Sequence, residues 1–213
     1  FDKTKMGSLA HALSSFNNSY YTLRNLWSKD IWRVFDTLKK DWNGFDKKDH
    51  HNVQKLTKLL DTVITKLIAF IGLIEESILV DQGLLLYFIG LQMEQAIMTI
   101  DKSRALLTIS YNEDVEYEIL ESLLNSHESL NIYRYSFKSY LDVENVIKLI
   151  LLDDAYSRSL KYQLNRIRRD VFRLPKRTQD AESTSLETAI LKACELSKNA
   201  NSNTLIQVDE NGL

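Results

Sequence analysis

The stretch that most constrains the fold is an apolar run over residues 66–98, which acidic and amide side chains interrupt near its middle. Its length exceeds the roughly 20 apolar residues that a membrane-spanning helix needs. However, Glu75, Glu76 and Asp81 lie inside the run, and each charge is costly within hydrocarbon. We therefore expect no membrane span but two buried helices that meet at residues 81–83. Asp81 is a suitable N-cap for the second of them.

Helical periodicity extends over most of the chain. One proline and six glycines in 213 residues favour long helices over strands and loops. Apolar residues at steps of three and four predict long central helices over 52–80 and 82–109. The second is apolar nearly all round, which is typical of a helix at the centre of its bundle. Further helices are predicted over 6–26, 29–43, 112–139, 142–152, 157–173 and 185–199, and a strand only over 204–208. The predicted fold class is therefore all-α, an antiparallel helical bundle of about seven or eight helices.

The predicted domain organisation is a bundle over residues 1–178, followed by a C-terminal helix and tail over 179–213. The tail helix is expected to open with a capping box formed by Thr184 and Glu187. The net charge of −2 gives no general argument for nucleic acid, and Cys194 is a lone cysteine without a disulfide partner. No secretory signal is recognised before the first helix, and we expect a cytoplasmic protein.

Motifs for the common cofactors and metals are missing from the sequence. There is no glycine-rich loop for phosphates and no G-x-S-x-G segment that would mark a nucleophile. The histidines are scattered, and none has a glutamate three residues before it, as a di-iron helical bundle requires: His11, His50, His51 and His127. We predict no cofactor and no metal site.

The most informative polar residue is Glu94, which has apolar neighbours on the predicted helix. A buried carboxylate must be paired, hydrogen-bonded or protonated. One interpretation is a buried polar binding site that Glu94 forms with an arginine from another helix. The other, which we weigh more heavily, is a salt bridge that fixes helix register, or a side chain that reaches solvent.

The second candidate is the basic face of the helix over 157–173. Arg168, Arg169 and Arg173 lie on this face and could bind phosphate, nucleic acid or an acidic partner. Nucleic acid is the weaker option, because no aromatic residues accompany the basic side chains as stacking platforms. We favour a solvated face that balances the acidic helix over 112–139.

Three segments together resemble the bacterial alpha-E family, an all-helical family named for a Glu-Arg pair. The segment FIGLIEESILVDQGLLLYFIGLQMEQA is similar to the family's Gly-Arg-x-x-Glu-Arg-Ala region, and its matching residues are Glu76, Ser77, Asp81, Gly83, Gly90, Glu94 and Ala96. RNLWSKDIWRVFDTL resembles the Arg-x-x-x-Ser-x-x-x-Trp stretch through Arg24, Ser28 and Trp32. LLLDDAYSRSLKYQL resembles a third segment through Asp153, Arg158, Ser159, Leu160, Gln163 and Leu164. The segments occur in family order over positions 8–175.

The sequence departs from the family pattern mainly at its cations. Gln95 stands where the family has its namesake arginine, and Leu91 and Val80 replace two other arginines. Leu84 replaces an aromatic residue, and the family's N-terminal repeat is absent. If those cations bind a carboxylate or phosphate in the family, this chain is expected to bind that anion more weakly or in a different way.

The resemblance implies a role through gene context. Alpha-E proteins are associated with circularly permuted ATP-grasp proteins, transglutaminase-like proteins and an NTN-hydrolase peptidase, in systems that make or modify peptides. It therefore implies a non-catalytic accessory protein that binds such a ligase or a transglutaminase-like protein, or a peptide. We expect one polar site formed by Glu94, Arg158, Asp153 and Arg24, with Glu76 and Asp81 as further candidates, and with Arg158 as the cation that pairs with Glu94.

Two other classes of function remain open. An enzyme acting on peptides or amides would need carboxylates that converge with a base between helices. An anion or nucleic-acid binder would need a continuous basic surface along the helix over 157–173.

Overall fold

A computed structural model describes residues 2–79, 81–138, 140–175 and 184–206. The described residues are mostly α-helical and contain no strand, which confirms the predicted all-α class. The chain divides into two compact units, Phe1–Leu79 and Val80–Leu213. The domain boundary predicted at residue 178 lies outside the described residues and stays a prediction.

The first unit contains three helices, α1 (Leu9–Thr22), α2 (Lys29–Gly44) and α3 (Val53–Ser77). Helices α2 and α3 pack together through a buried cluster of Leu38, Leu59 and Val63. The starts of α2 and α3 agree with the sequence because short polar side chains cap them, as Ser28 does by accepting a hydrogen bond from the Ile31 amide at 3.3 Å. Helix α1 begins at Leu9 rather than at residue 6, because Ser8 is its cap.

An aromatic cluster fills the rest of this core. Tyr20 is 1% exposed, and its ring stacks on Phe35 and on Trp27. The Trp27 indole donates a hydrogen bond to the Tyr20 carbonyl oxygen at 2.8 Å. The tryptophan therefore anchors the turn between α1 and α2 to the core.

The described part of the second unit begins with the long helix α4 (Gln82–Leu107) and continues through six further helical segments. These are α5 (Glu113–Ser126), α6 (Leu130–Phe137), α7 (Val143–Ile147), which continues into a π-helical turn at Lys148–Leu152, α8 (Leu160–Val171), α9 (Ser185–Asn199) and the short α10 (Ser202–Leu205). One buried cluster joins α5, α6 and α7. A second joins α4, α8 and α9 through Ile89, Ile167, Val171 and Ile190.

Three sequence predictions about these elements were wrong. The helix predicted over 112–139 is broken, because Glu128 takes a left-handed conformation (φ 50°) and ends α5 in a turn before α6 begins. Of the strand predicted over 204–208, the first two residues belong instead to a helical turn, Ser202–Leu205, in which Asn201 caps the Asn203 amide at 3.0 Å, and positions 207 and 208 lie outside the described residues. Helix α4 is not buried all round.

Helix α4 buries one face only. Residues at helical spacing form that face, and α8 packs against α4: Leu85, Ile89, Gln92, Ala96, Thr99 and Ser103. Three of these residues are polar, yet several large apolar side chains of the same helix are exposed. The choice of buried face therefore depends on the packing partner and cannot be read from the hydropathy of a helix that is apolar on every side.

Candidate functional site

The six residues predicted to form a polar site are distributed over both units. Arg24 and Glu76 belong to the first unit, where both are exposed. In the second unit Asp81 is an N-cap, as predicted, and its Oδ1 accepts a hydrogen bond from the Leu84 amide at 2.9 Å. Glu94 lies on an exposed part of α4 and makes no ion pair within the described residues. The interpretation of Glu94 as a solvent-exposed carboxylate is therefore correct.

Arg158 does not pair with Glu94, so that prediction was wrong. Its Nη2 lies 2.9 Å from Oε2 of Glu128, and its Nη1 donates to the His127 carbonyl oxygen at 3.3 Å. The reason is the turn after α5, which was not predicted and which places Glu128 beside Arg158. A glutamate with positive φ is uncommon, so local sequence gave no clear signal for this turn.

The segment around Asp153 forms a hydrogen-bonded corner before α8. Oδ1 of Asp153 accepts from the amides of Ala155 at 2.7 Å and Tyr156 at 2.9 Å. The Tyr156 hydroxyl donates to the His127 carbonyl oxygen at 3.0 Å, and the Ser159 hydroxyl donates to the carbonyl oxygen of Asp153. The family-like residues Asp153 and Ser159 therefore close the corner, and Tyr156 together with Arg158 holds it to the end of α5.

His127 is a further polar residue that the sequence analysis considered only as a metal ligand. It is buried, and its Nδ1 lies 3.0 Å from the Leu123 carbonyl oxygen. Burial lowers the pKa of His127, and the positive charges of Lys102 and Arg158 act in the same direction. Its environment favours a neutral ring that supports the corner.

A buried acid, Asp170, pairs with two of the three arginines on the basic face predicted over 157–173. Arg169 Nε lies 3.8 Å from Oδ1 of Asp170, and Arg173 Nη1 lies 3.4 Å from the same oxygen. Asp170 is buried, so its carboxylate holds these two cations near one point. Arg168 has no acidic partner within the described residues. The continuous basic surface that nucleic-acid binding would need is therefore not formed by these three arginines.

The exposed side of α4 is the most unusual surface of the second unit. It carries five large apolar side chains, each 39–56% exposed, which we call the α4 apolar face: Leu86, Met93, Ile97, Met98 and Ile100. Glu94 and Asp101 are exposed within or beside this face. Leu86, Met93, Ile97 and Ile100 fall within one arc of the helix, and Met98 lies to one side of it. Apolar patches on a folded domain often mark interaction sites.

A metal site and a membrane-spanning helix are two further features that can be looked for among the described residues. No group of three or more histidine, cysteine or acidic side chains within them could hold a metal ion. Of the described helices, Gln82–Leu107 alone is long and apolar enough to cross a membrane, with a mean hydropathy of 1.3 over its best window. One such helix is weak evidence for a membrane span, because core helices of soluble proteins meet the same criteria.

Comparison with known proteins gives a family but no described activity. The Alpha-E family model, "a predicted alpha-helical domain with a conserved ER motif", matches residues 1–213. The uncharacterised protein Rv2567 of Mycobacterium tuberculosis is 25% identical over 177 residues, which are 82% of this chain and 20% of that protein. The uncharacterised protein Mb2597 of Mycobacterium bovis matches with the same identity and coverage.

The chain thus spans about a fifth of the length of these curated relatives. No solved structure matches it. The family model covers the whole chain, including the helix that carries Glu94 and the corner at Asp153. The chain belongs to the Alpha-E family.

Proposed function

We propose that this chain is a non-catalytic, cytoplasmic binding component of a peptide synthesis or modification system, and that the α4 apolar face docks its protein partner. The observation that carries the proposal is the exposed apolar surface of α4. Its buried residues include three polar ones, Gln92, Thr99 and Ser103, beside four apolar ones, while large apolar side chains of the same helix are exposed. Exposing that much apolar surface costs free energy that a partner would recover by covering it.

The charges beside the face indicate the chemistry of the partner. Glu94 and Asp101 are exposed and have no ion-pair partner within the described residues. Arg104 is also exposed, four residues after Ile100. A complementary partner therefore presents an apolar groove with basic side chains opposite Glu94 and Asp101 and an acid opposite Arg104. In an antiparallel pairing of two copies through this face, the same acids would face each other, which disfavours self-association.

The candidates for the partner come from what the family resemblance implies. A circularly permuted ATP-grasp ligase is our first candidate, and a transglutaminase-like protein is the second. In the curated relative from Mycobacterium tuberculosis, the matching region is a fifth of a much longer chain. A helical module that works beside other parts of a protein would fit that length.

Binding between purified proteins tests the proposal directly. We would measure the affinity of the chain for the ATP-grasp ligase and the transglutaminase-like protein of the same organism by biolayer interferometry. Ile97→Glu should weaken binding at least about tenfold, because it places a charge at the centre of the interface. Leu196→Glu is the matched control, since Leu196 is 65% exposed on α9, and it should leave the affinity unchanged.

Three outcomes would contradict the proposal. The first is that neither purified protein binds the chain. The second is that Ile97→Glu and Leu196→Glu have the same effect on the affinity. The third is a concentration-dependent homodimer, measured by light scattering, that Ile97→Glu abolishes, because the face would then serve self-association.

A further inference from the structure

A groove between α8 and α9 lies apart from the α4 apolar face. The two helices pack through Ile167, Val171 and Ile190, and the groove opens beside this cluster. Its cavity volume is about 490 Å³, which is within the range of small-molecule sites. Most of its lining residues are polar or charged, although Leu164, Leu191 and Cys194 also line it.

The groove contains more cations than its own acids neutralise. Lys161 is held by Asp154, with Nζ 3.1 Å from Oδ2. Arg168 and Lys198 also line the groove, and neither has an acidic partner within the described residues. Arg168 is therefore the member of the α8 basic face that remains available to a ligand.

Ser197 also lines the groove, but its hydroxyl does not face a ligand there. The Ser197 Oγ is covered by protein atoms and has no hydrogen-bond partner within the described residues. The groups that an anion in the groove would meet are therefore the two cations.

We propose that the α8–α9 groove binds a small ligand through an oxyanion, either a carboxylate or a phosphate. Arg168 supplies a planar donor pair for two oxygens, and Lys198 supplies a second charge. Glu195 also lines the groove, so Arg168 and Lys198 supply the excess of positive charge that the ligand needs.

Cys194 provides a reporter inside the groove. It is the sole cysteine of the chain, and its Sγ donates to the Leu164 carbonyl oxygen at 3.5 Å. Burial raises the pKa of the Cys194 thiol, and the charge of Arg168 opposes that rise. A bound ligand should slow the reaction of this thiol with N-ethylmaleimide.

The experiment combines calorimetry with thiol labelling on the full chain. Inorganic phosphate and glutarate are the two probes, and dimethyl glutarate is the uncharged control. We expect phosphate or glutarate to bind and to slow Cys194 labelling severalfold, while the diester does neither. The comparison of phosphate with glutarate identifies which oxyanion the site prefers.

Variants then locate the site. The double variant Arg168→Gln/Lys198→Gln should weaken binding at least about tenfold and remove the protection of Cys194. Labelling is compared with and without probe within each variant, because loss of Arg168 itself raises the pKa of the thiol. Lys192→Gln, on an exposed part of α9 outside the groove, removes one charge and should preserve binding.

The proposal fails if neither probe binds at tens of millimolar, or if the diester protects Cys194 as well as the dianion does. It also fails if the double variant, with its helical circular dichroism intact, binds as tightly as the unmodified chain. None of these results bears on the α4 apolar face, so the two proposals fail independently.

Discussion

Replacing Tyr133 by phenylalanine removes one buried hydroxyl and the hydrogen bonds that it makes. This hydroxyl lies 2.9 Å from the Tyr140 carbonyl oxygen and 3.1 Å from Oδ2 of Asp142, and it accepts from the Asp142 amide at 3.2 Å. The tyrosine is 0% exposed. A buried group left unpaired costs about 1–3 kcal/mol, so Tyr133→Phe should lower the free energy of unfolding of the second unit by about 2 kcal/mol.

Tyr20→Phe is the same chemical change in the first unit, and we expect the opposite sign. The Tyr20 hydroxyl is buried and has no hydrogen-bond partner within the described residues. Burial raises the pKa of Tyr20 above its ordinary value of 10.0, with the charge of Asp36 as a secondary cause. Deleting an unpaired buried hydroxyl should raise the free energy of unfolding by about 1 kcal/mol.

Urea unfolding at pH 7, followed by circular dichroism, measures both changes. Amide hydrogen exchange assigns each change to one unit, since the two units need not unfold together. The reasoning is refuted if Tyr133→Phe changes stability by less than about 0.5 kcal/mol, below the range for a lost hydrogen bond. It is equally refuted if Tyr20→Phe destabilises the first unit as much as Tyr133→Phe destabilises the second.

Three further predictions use local features of the second unit. Asp81→Ala should lower the free energy of unfolding by about 1 kcal/mol, because the cap on the Leu84 amide is lost, whereas Asp81→Asn should lower it little. Thermal unfolding measures both changes. Burial lowers the pKa of His127 below 6.5, so the unfolded state binds a proton at a higher pH than the folded state does. The free energy of unfolding should therefore fall as the pH drops below 6.5. His127→Gln should reduce this pH dependence, which urea unfolding at several pH values measures. Lys138 ends α6 with φ 49°, so Lys138→Gly should stabilise by about 0.5–1 kcal/mol, and a lower urea midpoint for this variant would contradict it.

The sequence predicts the helix starts well because each cap is a local interaction. Ser28, Asp81 and Thr184 all accept a hydrogen bond from the amide three residues ahead, and Glu187 completes the predicted capping box. Such contacts depend on a short polar side chain and its immediate neighbours. Side-chain type and spacing are therefore sufficient to identify them.

The sequence does not predict the break after α5, because the residues there are compatible with a continuous helix. Ser129 instead donates its amide to the Leu124 carbonyl oxygen at 2.8 Å, and Glu128 takes a positive φ. Arg158 lies 30 residues further along and pairs with Glu128. A turn that is stabilised by a distant residue leaves little signal in the local pattern, so the pairing predicted between Arg158 and Glu94 was also wrong.

The position of Glu94 changes how the missing family arginine should be interpreted. Consecutive residues on a helix point about 100° apart, so an arginine at position 95 would not face Glu94. Glu94 and Gln95 are both exposed on α4, and Glu94 adjoins Met93 and Ile97 of the apolar face. Replacement of the arginine by Gln95 therefore need not remove the partner of Glu94. If the docking proposal is correct, Glu94→Lys should weaken binding of the ATP-grasp ligase in a salt-dependent way, whereas Gln95→Arg should change the affinity little. A large effect of Gln95→Arg and a small effect of Glu94→Lys would show that position 95 carries the recognition.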